Sequence, residues 1–243
     1  TGGRLRARPT LVASSLYVQS DDGWLYRLDA TRGKQLWRVR VMPDSVVRLP
    51  ISQPGSKYDF YSSAVTAAGG VLFVGTHAGR VLALDPTTGA TLWEASTGGP
   101  VLAAPGVAGG RVFVGSYDGR VYAFDGFDGH TLWTYDTGAP VTSTPVPEQG
   151  VVVVGSRSYD LLGLDAVTGE VKWDHYLWYS WIESTARVRD GVAYVGSSDA
   201  ARIYALDATS GSLRWEADVH GISWGRPAVT ETRVVAAVRA SPS

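Results

Sequence analysis

Ile203-Tyr204-Ala205-Leu206-Asp207-Ala208-Thr209-Ser210-Gly211-Ser212-Leu213-Arg214-Trp215 reads as a strand, a tight turn and a second strand. The first five residues alternate large and small apolar side chains and end on an acid. In the turn, Asp207 can accept backbone N–H groups and Gly211 can supply positive φ. The same grammar occurs four more times, at Leu25-Tyr26-Arg27-Leu28-Asp29, Val81-Leu82-Ala83-Leu84-Asp85, Val121-Tyr122-Ala123-Phe124-Asp125 and Leu161-Leu162-Gly163-Leu164-Asp165. Each has glycine four residues after the Asp and tryptophan eight residues after it. The tryptophans, Trp37, Trp93, Trp133, Trp173 and Trp215, are spaced by 56, 40, 40 and 42 residues, so the unit is about 40 residues with one insertion of 16.

Upstream of each Asp lies a second apolar run, such as Val71-Leu72-Phe73-Val74-Gly75 or Val192-Ala193-Tyr194-Val195-Gly196. These runs are short, rich in Val, Tyr and Phe, and bounded by Gly, Asp and Ser, which predicts strands and turns without helix. Each unit therefore reads as four strands: A, a short one near Pro105 or Pro145; B, the Val-rich run; C, ending at the Asp; and D, carrying the Trp. Such a sheet cannot bury its faces alone, but radial stacking buries them, with the Trp as a wedge between neighbours. The expected fold is all-β, a β-propeller of four-stranded blades forming one domain over 1–243. The repeats fall near 8–40, 63–96, 103–136, 143–176 and 184–218, with a partial unit at 225–243 and the insertion near 41–57. Thr1 to Trp37 aligns without a gap onto Thr97 to Trp133, and the last unit has only A-like and B-like runs. Five complete repeats plus half of a sixth imply part of a larger ring, whose incomplete blade offers a route to self-association.

The chain has 243 residues, 22 Lys plus Arg, 23 Asp plus Glu and a formal charge of −1. That balance excludes a nucleic-acid binder acting through a strong basic field. No apolar run is long enough for direct membrane insertion as a helix. Cys and Asn are both absent, which removes disulfides, thiolate sites and N-glycosylation acceptors.

The Asp-x3-Gly-x3-Trp pattern after an alternating Tyr-Ala-Leu strand resembles the pyrroloquinoline-quinone-like, or quinoprotein-type, β-propeller repeat family. The resemblance covers nearly the whole chain. That family includes quinone-dependent dehydrogenases, the propeller lipoprotein of the outer-membrane barrel-assembly machinery, and sensor propellers of bacterial kinases. The resemblance implies a bacterial protein that is periplasmic or otherwise extracytoplasmic.

If strand A lines the channel, the B-to-C turns and D-to-A connections share one face, the top, and the repeated Asp and Gly lie on the other. Four tryptophans, Trp24, Trp178, Trp181 and Trp224, are extra to the repeat. Three of them fall in two neighbouring D-to-A connections, whose equivalents elsewhere are small and featureless. The insertion belongs to another such connection and carries Tyr58, Asp59 and Tyr61. The expected partner-binding set is Tyr58, Asp59, Tyr61, His175, Trp178, Tyr179, Trp181, Glu183, His220, Trp224 and Arg226. Aromatic rings there offer contact area at low entropic cost, and the charges orient a ligand; the competing reading is that the rings merely plug the channel mouth. No metal site is expected.

Two functions are compatible with these residues. One is a non-catalytic binding or scaffold propeller capturing a protein, peptide or glycan on its top face, with no cofactor. The other, implied by the family, is a pyrroloquinoline-quinone-dependent dehydrogenase or a fragment of one, with calcium. The absence of Asn and Cys removes parts of that enzyme's ligand set, and no triad, phosphate loop or HExxH element supplies another chemistry.

Overall fold

The computed structural model describes residues 1–43, 62–177 and 180–240. Five four-stranded antiparallel sheets follow one another along the chain, each in simple sequential order. The first blade is β1 (Thr10–Val12), β2 (Ser15–Gln19), β3 (Trp24–Asp29) and β4 (Gln35–Arg40). The second is β5 (Thr66–Ala68), β6 (Val71–Gly75), β7 (Arg80–Leu84) and β8 (Thr91–Ser96), and the third is β9 (Gly106–Ala108), β10 (Arg111–Gly115), β11 (Arg120–Asp125) and β12 (Thr131–Asp136). The fourth holds β13 (Val146–Glu148), β14 (Val151–Gly155), β15 (Asp160–Asp165) and β16 (Val171–Tyr176); the fifth holds β17 (Arg187–Arg189), β18 (Val192–Gly196), β19 (Arg202–Asp207) and β20 (Leu213–Asp218). The short strands β21 (Gly221–Ile222) and β24 (Arg239–Ala240) pair with each other, as do β22 (Ala228–Val229) and β23 (Val234–Val235). β22 and β23 occupy the A and B positions of a sixth blade. No helix occurs among the described residues.

The turn predicted between C and D forms in every complete blade. Oδ1 of Asp165 accepts the N–H groups of Val167 and Thr168 at 2.8 and 3.0 Å, while the N–H of Gly169 donates to the Asp165 carbonyl at 2.9 Å. The glycine has a second duty. Gly169 has φ +77° and lies on the Trp133 ring, so close that a Cβ would stand 2.6 Å from Cδ2. Gly129 lies on Trp93 and Gly211 on Trp173 in the same way, and Gly89 packs on Trp37.

Four of the five wedges are also latched. Nε1 of Trp37, Trp93, Trp133 and Trp173 donates to the carbonyl of Pro86, Gly126, Ala166 and Ala208 at 3.2, 3.0, 3.3 and 3.2 Å, always in the next blade and always one residue past its turn Asp. A buried indole N–H needs such a partner, and the repeat supplies it as backbone. Beside each Trp the D strand carries a bulge: in the third blade Ala123 faces Trp133 and Phe124 faces Thr131, which leaves Leu132 as the extra residue, and the other blades repeat the shift. The core is accordingly divided into four apolar clusters, each spanning two successive blades.

Trp215 departs from the expected pattern of five equivalent wedges. It is 41% exposed, against 7% for Trp93 and Trp173. The described part of the sixth unit has no C strand, so no Asp-x3-Gly turn lies over its ring.

Candidate functional site

Strands β1, β5, β9, β13 and β17 stand side by side around the axis, and β22 lies against β17. Alternation along these strands and the residues entering them sends every second side chain inward. The result is a channel cavity of about 450 Å³ whose wall includes Arg6, Thr142, Glu183, Trp224 and Arg226. Arg6, Thr142, Glu183 and Trp224 occupy one repeat position, the last channel-facing one before strand A turns down from the top face.

Around that mouth the sequence has built one tight constellation. Glu183, in the connection entering the fifth blade, accepts from Arg157 Nε at 2.8 Å, and Arg157 Nη2 donates to the same oxygen, Oε1. Both side chains are buried, 5% and 6% exposed. Nη1 of Arg157 donates to Tyr117 Oη at 3.1 Å, and its guanidinium lies 5.4 Å from the Tyr117 ring centroid and 5.1 Å from that of Trp181. The arginine is thus clamped between two rings while its charge is neutralised by Glu183. Such cation–π contacts strengthen on desolvation. The consequence for Trp181 is a fixed, half-buried ring with one face braced from below.

Trp224 also lines the channel and is half-buried, yet its Nε1 is shielded from solvent and makes no hydrogen bond to the described residues; nor does Oγ1 of Thr142 on the same wall. Arg226 completes this side. Its guanidinium is pulled below its ordinary value by partial desolvation in the channel and by the like charges of Arg187 and Arg8.

Of the expected site residues, then, Glu183, Trp224 and Arg226 line the channel, and Trp181 joins Glu183 through Arg157. His175 does not. Strand β16 continues through Tyr176, so His175 is a strand residue paired with Leu161, and its ring packs edge-on against Tyr204 of the fifth blade at 6.2 Å. His220 sits at φ +55° with its side chain 89% exposed, and its Nδ1 is 3.1 Å from Asp218 on the rim. Tyr58, Asp59, Tyr61, Trp178 and Tyr179 lie outside the described residues. Sequence reading missed Arg157 and Tyr117. Both occupy the variable second position of a B-to-C turn, filled elsewhere by Asp21, His77 and Ser198, and a long side chain at a top-face turn is the signal that could have found them.

On the opposite face, Asp125, Asp128 and His130 bring ligand atoms within 4.8 Å of one another. All are turn groups with local duties: Asp125 Oδ1 accepts from Phe127 N at 2.8 Å, and Asp128 Oδ1 lies 2.6 Å from His130 Nδ1. That contact raises the imidazole above its ordinary value.

Comparison with known proteins agrees with this architecture. A family model described as outer membrane protein assembly factor BamB matches residues 21–190 and 180–241. The outer membrane protein assembly factor BamB of Nitrosomonas eutropha is 33% identical over 97 residues, 40% of this chain and 20% of that protein. Its counterpart from Alteromonas naphthalenivorans is 36% identical over 107 residues, 41% of this chain and 25% of that one. The matched stretches therefore span a quarter or less of these relatives. The crystal structure of BamB from Moraxella catarrhalis superposes with a TM-score of 0.75 at 22% identity, covering 94% of this chain and 65% of that one, which is a likeness of fold. With the repeat, the blades and the family model in agreement over most of its length, the chain belongs to the BamB family of quinoprotein-like β-propellers.

Proposed function

We propose that this chain is a non-catalytic scaffold propeller of outer-membrane protein assembly, extracytoplasmic in a bacterium, which holds a protein partner on its top face. The family supports the scaffold role. The observation that carries the choice of face is Trp181 braced by Arg157, with Tyr117 and Glu183 behind it. A large ring held in one orientation before binding offers contact area without further entropy loss, as interface hot spots require.

On this reading the channel mouth orients a partner and transforms nothing, and pyrroloquinoline quinone has no place in it. The test is photocrosslinking in a bacterial host. A photoreactive residue replaces Trp181 or Trp224, with Phe127 as control, since Phe127 is 92% exposed in a turn on the opposite face. Crosslinks from positions 181 and 224, but not 127, to a protein of the outer-membrane assembly apparatus are expected. Crosslinks from 127 alone, or only to glycan, would overturn the assignment.

A further inference from the structure

The segments that line the channel send side chains inward at every second position, so its wall is built in tiers. The tier at the mouth holds Arg6, Thr142, Glu183 and Trp224. Its two charges are answered locally: Arg6 Nε donates to Asp21 Oδ2 at 2.7 Å, and Glu183 is bonded to Arg157. Two residues further along each segment comes a second tier of Arg8, Ala64, Ala104, Thr144, Thr185 and Arg226. Its four small side chains leave the cavity of about 450 Å³ open beside the two arginines. A third tier follows with Thr10, Thr66 and Val146, and in the fifth blade β17 places Arg187 at that position.

The second and third tiers are therefore positive. Among the described residues no carboxylate pairs with Arg8, Arg187 or Arg226, and the charges of Arg187 and Arg8 bear on Arg226. Arg8 and Arg187 belong to complete blades, so the excess does not depend on the sixth unit. A protein seated over the mouth takes these guanidiniums out of water. Their desolvation opposes binding unless an opposite charge meets them. A carboxylate does so with two oxygens that match the guanidinium fork.

We propose that the partner held at the mouth inserts an acidic segment, whose Asp or Glu carboxylates pass Trp224 and pair with Arg8, Arg187 and Arg226. This rests on the mouth being the partner-binding face and adds the chemistry of what that face takes. The second tier lies two strand residues below the first, about 6–7 Å, so a protruding loop delivers the charge where a flat surface would not. Such complementarity orients the partner and rejects basic or neutral competitors.

The test uses the whole chain labelled with 5-fluorotryptophan, the Trp224 and Trp93 resonances being assigned with Trp224→Phe and Trp93→Phe. The probes are the end-blocked peptide Gly-Glu-Gly-Glu-Gly, its Gln counterpart and citrate, all at one ionic strength. The acidic peptide should shift Trp224 saturably, with half-saturation below about 1 mM, and the Gln peptide should leave it unmoved. The double variant Arg8→Gln with Arg187→Gln should bind the acidic peptide at least about tenfold more weakly. It removes like charge from the wall, so its unfolding midpoint should not fall. The proposal is overturned if the two peptides act alike, if the double variant binds as the unaltered chain does, or if Trp93 responds in place of Trp224. Citrate binding as tight as the peptide's would also overturn it, by making the channel a site for small anions. Photocrosslinking from positions 181 and 224 decides the partner-binding face separately. Crosslinks without acidic-peptide binding overturn the acidic segment alone, and peptide binding without crosslinks overturns the choice of face alone.

Discussion

Arg157 and Glu183 belong to neighbouring blades, and their buried contact, 2.8 Å from Nε to Oε1, joins the fourth blade to the entry of the fifth. Removing one partner strands a charge in the interior. Glu183→Ala should therefore cost about 3–5 kcal/mol in urea unfolding, whereas the double change Arg157→Met with Glu183→Leu should cost much less. If the two variants are equally unstable, the pair matters through packing and its charge is incidental.

The wedge tryptophans and the mouth tryptophans should respond differently to truncation. Trp133→Ala removes a ring covered by Gly169 and latched to Ala166, so a loss of about 3–5 kcal/mol is expected. Trp181→Ala and Trp224→Ala should cost about 1–2 kcal/mol in stability, and each should weaken partner capture by about 2 kcal/mol or more. Thermal unfolding beside a binding assay separates these cases; equal stability losses at 133, 181 and 224 would make the mouth rings core packing.

Gly169 and Gly33 share a positive φ, +77° and +66°, but only Gly169 faces a ring, while nothing lies within 4 Å of a Cβ built on Gly33. Gly33→Ala should cost only the left-handed backbone, about 1–2 kcal/mol. Gly169→Ala adds the displacement of Trp133, so a larger loss is expected, and the difference in unfolding midpoints measures the ring contact alone.

Acid should loosen the turns before it touches the core. Backbone donors of Thr168 and Val167, with Lys172, hold Asp165 down to about 2, and Arg214 with the turn donors holds Asp207 well below the ordinary 3.8. A depressed carboxylate contributes stability that is complete above its unfolded value and disappears as pH falls through the folded one. Stability should thus decline from about pH 4 toward about pH 2, and the double variant Asp165→Asn with Asp207→Asn should flatten that slope in denaturant titrations.

Pyrroloquinoline quinone with added calcium should show no submicromolar binding by calorimetry and no dye-linked alcohol oxidation. Turnover abolished by Glu183→Gln would replace the scaffold reading with an enzymatic one.

Most of the fold was legible because its unit is marked by three residue types at fixed places. Asp closes the turn, Gly allows it, and Trp seals the next blade, so the period shows without structure. The site was only half legible. Trp181, Glu183, Trp224 and Arg226 stood out because the repeat does not ask for them. Arg157 and Tyr117 did not, since their meeting with Glu183 and Trp181 spans separate units and depends on how neighbouring blades lean together. His175 was misplaced by a strand boundary: Asp174, His175 and Tyr176 are paired strand residues, which turned an expected loop group into an interblade side chain. Trp215 looked like its four counterparts because its exposure is decided by whether a neighbouring turn covers the ring, and its own repeat carries no mark of that.

The latch from Trp37, Trp93, Trp133 and Trp173 to the carbonyl after the next turn Asp has a consequence for how such a protein can change over generations. Donor and acceptor sit at the same two places in each of these joints, so duplication or deletion of one whole unit among them leaves the remaining joints chemically unaltered. Selection can then lengthen or shorten the array in whole steps and diversify the connections between blades, such as those carrying Trp181 and Trp224, without reopening the problem of how blades adhere.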